Sequence, residues 1–531
     1  MGNSEVSQFT LSANSNKAPA ALGEHAKVHC NKSGSSQVIE VPSFISESRE
    51  LSVRLPGNRS DWESIKLESG EELLFEKSWT FSIVGHTSKS DNSFFKNDNG
   101  DDFLWLGDTV WFGLTDRISN ADWKALMQKR TAQGFNVMQV VSGLLPEAAF
   151  GDKATLLEGV ASWKLDKSDL EKKWWDAADI KVIDAVQAGQ MPALVGAWSY
   201  YILQFGADRL KKHWTEMIAR WGAFPVFWCV GGEVGLMEYK DLFTEDMQER
   251  ALEIQQMWKP VVTHVRATDP WNRPITVHPC PAFNNSSTEA LQGDNTLDFV
   301  WLQTGHADVN STRATLTAMQ KAKHDSKLPV LNSEVCYEGI AGGSPAMIQR
   351  YLFWTHMLLG AAGHTYGAQG IWAFHDDETS PGAVWGWIPW QEAIELPGAQ
   401  HLGIAAKYLR SLGWNGFTPA PDSINVHADL DHTYRPWAGR TKDQLIVYFP
   451  TVSLAPADIG ISTELTAVLF SQLEKNTRYI FEIFNPRTGD IVRSETITSS
   501  ERGEWNFTSD KPIGRPLPTM EDWIVRLAKS S

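Results

Sequence analysis

Between residues 103 and 413 the chain switches hydrophobic period again and again, and few architectures tolerate that. Short runs rich in β-branched and aromatic residues alternate with longer stretches of helical periodicity. The short runs are FLWLGD (103–108), FNVMQVV (135–141), MPALVGAW (191–198), PVFWCVGGE (225–233), RPITVHP (273–279), FVWLQTGH (299–306), PVLNSEV (329–335) and HTYGAQGIW (364–372). Helices are predicted over 120–134, 168–189, 207–222, 245–269, 311–325, 344–362 and 400–413. The first of them opens on a capping Asn and closes on Gly. Eight strands, each followed by a helix or a long loop, predict a (β/α)8 TIM barrel of the α/β class. The competing open, doubly wound sheet usually carries a glycine-rich phosphate loop after its first strand. Here the first run leads into GDTVWFGL instead.

Both flanks read differently. Residues 1–37 are rich in Ser, Asn, Ala and Lys without periodicity, and are expected to be a flexible N-terminal arm. Over 38–94 the segments QVIEVPSF, RELSVRL, SIKLE, ELLFE and WTFSIV alternate apolar and polar residues, as strands do. So few short strands do not readily close a core alone, so this segment is expected to pack on the other β-element. That element is 414–531, where short alternating runs such as QLIVYFP and RYIFEIFNP predict a C-terminal β-sandwich. The catalytic barrel is then 95–413.

Bulk numbers narrow the chemistry. A length of 531 residues exceeds one core. A net charge of −16 leaves nothing to neutralise a phosphate backbone, so a nucleic-acid partner is not expected. No run of about 18 apolar residues exists to span a membrane. The opening MGNSEVSQFTLSANSN has no apolar core of a signal peptide, which places the protein in the cytoplasm unless a leader was removed. Cys30, Cys229, Cys280 and Cys336 form no CxxC pair and need no disulfide. The 24 Trp are unusual; many belong in cores, but flat indoles also stack on the apolar faces of sugar rings.

Two of the apolar runs end in a carboxylate. Glu233 closes the fourth run behind Gly231 and Gly232, and Glu334 closes the seventh. In an eight-stranded barrel both open onto the carboxyl-end face, where barrel enzymes keep their chemistry. Two carboxyl groups flanking a glycosidic bond, one protonated and one ionised, are what glycoside hydrolysis requires. Asp108, Trp111, His278, Gln303, His306, Tyr337, Tyr366 and Trp372 fall at other strand ends and are candidates to hold a sugar. The Trp-rich segment AVWGWIPWQ (383–391) is a candidate lid. His278, His306, His364 and His375 show no HExxH or paired spacing, so no metal and no other cofactor is expected. No GxSxG is present for a serine nucleophile. A non-catalytic carbohydrate-binding barrel and a transglycosylase using the same two glutamates remain open at this point.

The ordered set FLWLGDTVWFGLT, GFNVMQVV, the GGE strand, PITVHP, LQTGH, PVLNSEVCYEG and GHTYGAQGIWAF resembles the apiosidase-like glycoside hydrolases, family 140, from about residue 95 to about 413. The tail, with QLIVYFP and YIFEIFNPRTGDIV, is similar to the β-module that often follows this barrel and is catalogued as collagen-binding, a label that does not define a function. The resemblance implies a retaining mechanism, with Glu233 as acid/base and Glu334 as nucleophile. Exo action on a furanoside such as an apioside or arabinofuranoside is the expectation, with another furanose or a pyranose equally open. Family members often carry Asp where this chain has Glu233, one methylene longer.

Overall fold

The computed structural model describes residues 3–11, 25–67, 77–84, 88–91, 94–97, 100–241, 244–293, 296–306, 309–426, 435–450, 467–508 and 516–530. At its centre eight parallel strands form one sheet: β1 (Trp105–Thr109), β2 (Val137–Val141), β3 (Met191–Val195), β4 (Phe227–Cys229), β5 (Ile275–Thr276), β6 (Val300–Gln303), β7 (Val330–Glu334) and β8 (Gly363–Tyr366). They run in the order β5-β4-β3-β2-β1-β8-β7-β6. The β5–β6 seam carries no ladder; it is drawn together where the Asp298 amide donates to the Ile275 carbonyl at 2.9 Å and the Thr276 hydroxyl to the Phe299 carbonyl at 2.9 Å. The barrel is thus nearly closed.

Helices α1 (Asn120–Gln133), α2 (Lys172–Gln187), α3 (Tyr201–Trp221), α4 (Met247–Thr268), α5 (Ser287–Ala290), α6 (Val309–Asp325), α7 (Ala346–Leu358) and α8 (Pro397–Ser411) surround it. The α1 cap falls one residue before the expected Asn120, which is instead the first helical residue. At the start of α1, Ser119 accepts from the Asp122 amide, and at its end Gly134 takes a left-handed φ of 114°. No helix of the described residues is long and apolar enough to cross a membrane.

The barrel interior is layered. At the amino end Phe95, from the short strand Phe94–Asn97, plugs the barrel against Trp105, Phe227 and Phe299, with ring centroids 5.4–5.8 Å away. Above this aromatic floor lies a polar belt. Trp105 donates to Thr365 at 3.0 Å, Thr365 to Gln139 at 2.9 Å, and Gln139 to the Ser333 carbonyl at 3.0 Å. All these groups are buried, and each bond answers a polar atom that would otherwise be stranded. The carboxyl-end groups stand on this belt.

The N-terminal region departs from the expected arm. Asn3–Leu11 is a central strand of a four-stranded antiparallel sheet, paired with Leu51–Pro56 and Lys77–Val84. Lys27–Lys32 is the middle strand of a second sheet. Residues 12–24 lie outside the described residues. Between the two sheets Phe9, Val28, Cys30, Val53 and Leu55 form a core of their own. Val6 and Phe9 fall on opposite faces of this strand, Phe9 in this core and Val6 in the core of the barrel, a pattern that a Ser- and Asn-rich composition hides.

The 38–94 segment also differs from expectation: it docks mainly on the helical flank of the barrel. Arg54 donates to Asp179 of α2 at 2.6 Å and to the Arg220 carbonyl of α3 at 2.6 Å, and from the region before it His25 meets Glu216 of α3 at 2.6 Å. Phe94, at its end, reaches toward the C-terminal part, packing edge-on against Trp414. Buried charges need partners, and the matching ones sit on α2 and α3.

The C-terminal region is a β-sandwich. A six-stranded antiparallel sheet faces a three-stranded one of Ile424–Val426, Ala467–Phe470 and Trp505–Thr508. The outer face of the larger sheet packs on α7 and α8. Asp522, fully buried, accepts from Arg350 at 2.7 and 2.8 Å and from Arg487 at 2.8 Å. Phe484 stacks on Tyr408 at 3.9 Å.

Candidate active site

Glu233 and Glu334 line one pocket of about 480 Å³ at the carboxyl-end face, walled by Trp111, Trp198, Tyr337, Trp372 and Trp385. Glu334 is the last residue of β7. A bulge between Leu302 and Gln303 shifts the β6–β7 register, so that Gln303 faces Glu334 and not Ser333. Such an insertion re-aims a side chain, and here Gln303 stands beside Glu334 in the ladder and donates to Glu233.

Glu233 lies past the end of β4, where the backbone continues the ladder without being a strand. The Gly232 amide donates to Ala197 at 2.9 Å, the Ser199 amide to Gly232 at 2.7 Å, and the Val234 amide to His278 at 2.8 Å. A Cβ on Gly232 would stand 2.3 Å from the Trp198 ring, so the indole can cross the strand only at a glycine. Glu233 itself has a φ of +46°, the left-handed region that costs a non-glycine residue about 1 kcal/mol or more.

The two carboxylates are solvated differently. Glu233 accepts from Gln303 Nε2 at 2.9 Å, Trp198 Nε1 at 3.1 Å and Tyr239 Oη at 3.4 Å. These are neutral donors. Burial, with the Glu334 charge adding to it, pushes the Glu233 carboxyl up to about 7. Burial would raise Glu334 as well, but His278 and His306 outweigh it. His306 Nε2 lies 3.0 Å from Oε1 and His278 Nε2 3.1 Å from Oε2. They hold Glu334 down at about 2. His278 is aimed by its own Nδ1, which donates to the Pro279 carbonyl at 3.0 Å. Between these two values one carboxyl therefore holds a proton while its neighbour is ionised.

Of the residues that the sequence placed at the site, Trp111, Gln303, His306, Tyr337 and Trp372 line the pocket, and His278 lies directly behind Glu334. Trp111 Nε1 donates to Tyr337 Oη at 3.0 Å, and the Tyr337 ring fits because a Cβ at Gly367 would lie 2.1 Å from it. Asp108 and Tyr366 do not belong. They face each other across β1 and β8 and point outward: Asp108 accepts from Arg130 of α1 at 2.6 Å, and Tyr366 donates to Glu338 at 2.6 Å. Successive strand residues alternate between faces, and these two fall on the helix side.

The pocket also contains residues beyond that set. Trp198 ends the third run and satisfied the same strand-end rule. Glu147 and Tyr239 come from loops well past their strands, with no periodic signal. Trp385 comes from the Trp-rich segment, which folds into a short 3-10 turn, Ala383–Trp385, at the rim. Among the described residues no group of His, Cys, Asp and Glu is arranged to hold a metal ion.

This layered barrel, with two carboxylates in an aromatic pocket at its carboxyl end, is a glycoside-hydrolase barrel, and similar solved structures share its fold. One described as a glycoside hydrolase superposes with a TM-score of 0.64 at 18% identity, covering 84% of this chain and 97% of its own. A family 5 glycoside hydrolase from Bacteroides vulgatus ATCC 8482 superposes at 0.65 and 17% identity, covering 83% and 93%. Among curated proteins none matches. The sequence profile of the apiosidase-like catalytic domain matches residues 89–415, more than half of the chain, and the protein belongs to that family of glycoside hydrolases.

Proposed function

We propose that the protein is a retaining, exo-acting glycosidase that removes a terminal furanose, such as apiose or arabinofuranose, from a plant or bacterial glycan. The observation that carries this reading is the opposed state of two carboxyls on one pocket, Glu233 at about 7 and Glu334 at about 2. Environments that push two carboxyls apart sort the acid from the nucleophile. Glu334, ionised and oriented by His278 and His306, attacks the anomeric carbon. Glu233 gives its proton to the glycosidic oxygen as that bond breaks, and the leaving sugar departs as an alcohol. Glu233, now a carboxylate, then takes a proton from water; the water oxygen attacks the same carbon and frees Glu334. Two displacements retain the anomeric configuration.

Exo action is supported by the size of the pocket and by the Trp385 turn at its rim. A furanose is supported by the family, whose name refers to apiose. The aromatic walls supply stacking faces and His306, Gln303 and Tyr337 supply polar contacts. Incubation with a 2-deoxy-2-fluoro furanosyl fluoride followed by peptide mass mapping tests the mechanism. Label on Glu334 is expected, together with a product of retained configuration by proton NMR. An inverted product, or label elsewhere, overturns it. A panel of plant and bacterial polysaccharides, read by released monosaccharide, tests the sugar and the exo mode.

A further inference from the structure

Two walls of the pocket, Trp111 and Trp372, hang on loops that are held from outside the pocket. Trp111 belongs to the turn after β1 and Trp372 to the turn after β8. Neither indole is part of the strand ladder, so the ladder does not fix them. The two turns meet where the Phe112 amide donates to the Trp372 carbonyl at 3.1 Å and the Phe112 ring packs edge-on against the Trp372 indole at 6.0 Å.

Arg117 ties the turns together. It leaves the β1 turn and donates through Nε to the Ala373 carbonyl at 2.5 Å. One terminal nitrogen donates to the Phe374 carbonyl at 2.6 Å and to the Ser380 hydroxyl at 2.8 Å, and lies 3.5 Å from Asp376. These acceptors bracket the β8 segment. Ala373 and Phe374 follow Trp372 directly, and Ser380 precedes Gly382, where a Cβ would stand 2.1 Å from the Trp372 ring. Phe374 takes a left-handed φ of +48°, a conformation that persists only where its surroundings impose it.

Lys181 braces the β1 turn from behind. It stands on α2, is 1% exposed, and gives its three donors to the carbonyls of Gly113 at 3.1 Å, Thr115 at 2.9 Å and Ile118 at 2.7 Å. None goes to a carboxylate. Burial pulls this ammonium down to about 8, with the charges of Asp116 and Glu158 acting the other way. Burying a cation among neutral acceptors is costly, and the carbonyls gathered here are those on either side of Arg117. Neither Lys181 nor Arg117 lines the pocket.

Resting on the hydrolase reading above, we propose that Lys181 and Arg117 are positioning residues for the sugar pocket. The ammonium sets the β1 turn, the guanidinium straps the β8 turn to it, and together they hold Trp111 and Trp372 at the spacing that grips the sugar. The two carboxyls are held by Trp198, Gln303, His278 and His306, none of which lies on either turn. Loss of the strap therefore weakens sugar binding and spares the acid and the nucleophile. The walls touch the sugar in ground state and transition state alike, so KM carries the effect.

The test compares the wild type with Arg117→Ala, Lys181→Met and, as a control for charge, Asp376→Asn. The substrates are 4-nitrophenyl β-D-apiofuranoside and 4-nitrophenyl α-L-arabinofuranoside, with hydrogen exchange followed by mass spectrometry as a second readout. Arg117→Ala is expected to raise KM about tenfold while kcat stays within about threefold. Amides in 110–119 and 372–380 should exchange about tenfold faster, with those of β4 unchanged. Lys181→Met should move both readouts the same way, and Asp376→Asn neither. Partial misfolding lowers kcat by removing active enzyme and leaves KM alone, so the split separates positioning from lost structure. If Lys181→Met does not fold, Arg117→Ala decides, since Arg117 is partly exposed. An unchanged KM or unchanged exchange in Arg117→Ala overturns the proposal. So does an Asp376→Asn variant whose KM rises as far, because that traces the effect to charge. A wild type that turns over neither glycoside fails at the earlier step and removes the hydrolase reading on which the role rests.

Discussion

The two ends of one barrel solve opposite problems. The amino end is a closed aromatic floor in which Phe95, Trp105, Phe227 and Phe299 interlock. The carboxyl end is built from groups a stable core would avoid: two facing carboxyls, non-glycine residues at positive φ such as Glu147, Glu233 and Ala341, and an open pocket. The floor supplies burial, at roughly 25 cal/mol per Å² of apolar surface. The pocket gives up stability for a preformed electrostatic site. Mutations at the two ends should therefore separate stability from activity.

The largest expected effect is at the pocket. Glu334→Ala should lower kcat by about 10⁴-fold or more, since removing a nucleophile removes the covalent route; the variant should still be folded at the assay temperature by circular dichroism, although it loses the contacts of Glu334 with His278 and His306. Hydrolysis within tenfold of wild type would refute the assignment. Glu233→Ala should cost about 10²–10⁴-fold in kcat on a substrate with a sugar leaving group. The loss should shrink for a 4-nitrophenyl leaving group, which needs no proton; equal losses on both would argue against general acid catalysis.

At the floor the pattern should reverse. Phe95→Ala should destabilise the protein by about 3–5 kcal/mol in chemical denaturation, while kcat of the folded fraction stays within a factor of about two. A selective loss of kcat would mean the two ends are coupled.

The smallest effect joins activity and stability through pH. The folded Glu233 carboxyl titrates near 7 against an ordinary 4.5, so the folded state holds a proton that the unfolded chain has lost. Stability carried by this group is present below about 4.5 and falls as pH rises to 7. Glu233→Gln should thus be more stable than wild type above pH 7, by on the order of 1 kcal/mol, with the gap closing near pH 4. Glu334, held near 2, works in the other direction: its contribution is present above 4.5 and lost as pH falls toward 2. For kcat/KM these two groups set an alkaline limb near 7 and an acidic limb near 2. A limb that stays near 7 in Glu233→Gln would assign it to another group.

Much of the barrel was legible because its signals are local. Each apolar run sits on the strand it named, and Gly134 closes α1 where expected, while its N-cap is Ser119 and not the neighbouring Asn120. The flanks were less so. Composition made residues 1–37 look unstructured, yet strand formation here depends on a few apolar positions, such as Phe9, Val28 and Cys30, and on partner strands farther along the chain. The partner of the 38–94 segment was misjudged for a related reason. Arg54 finds Asp179 across 125 residues, and no local pattern announces a buried ion pair.

At the site, strand-end position brought out Glu233, Glu334 and most of the wall. It included Asp108 and Tyr366 wrongly because a strand-end residue can face either side. By itself the sequence determined the eightfold alternation, the β-rich tail and two carboxylates closing apolar runs; these rest on backbone periodicity and short-range sterics. Only the tertiary structure decided which face each strand end presents, which donors surround each carboxyl, and which loops, carrying Glu147, Tyr239 and Trp385, meet at the pocket. Those depend on register, on a single bulge and on electrostatics between residues tens of positions apart on different strands, none of which leaves a local trace.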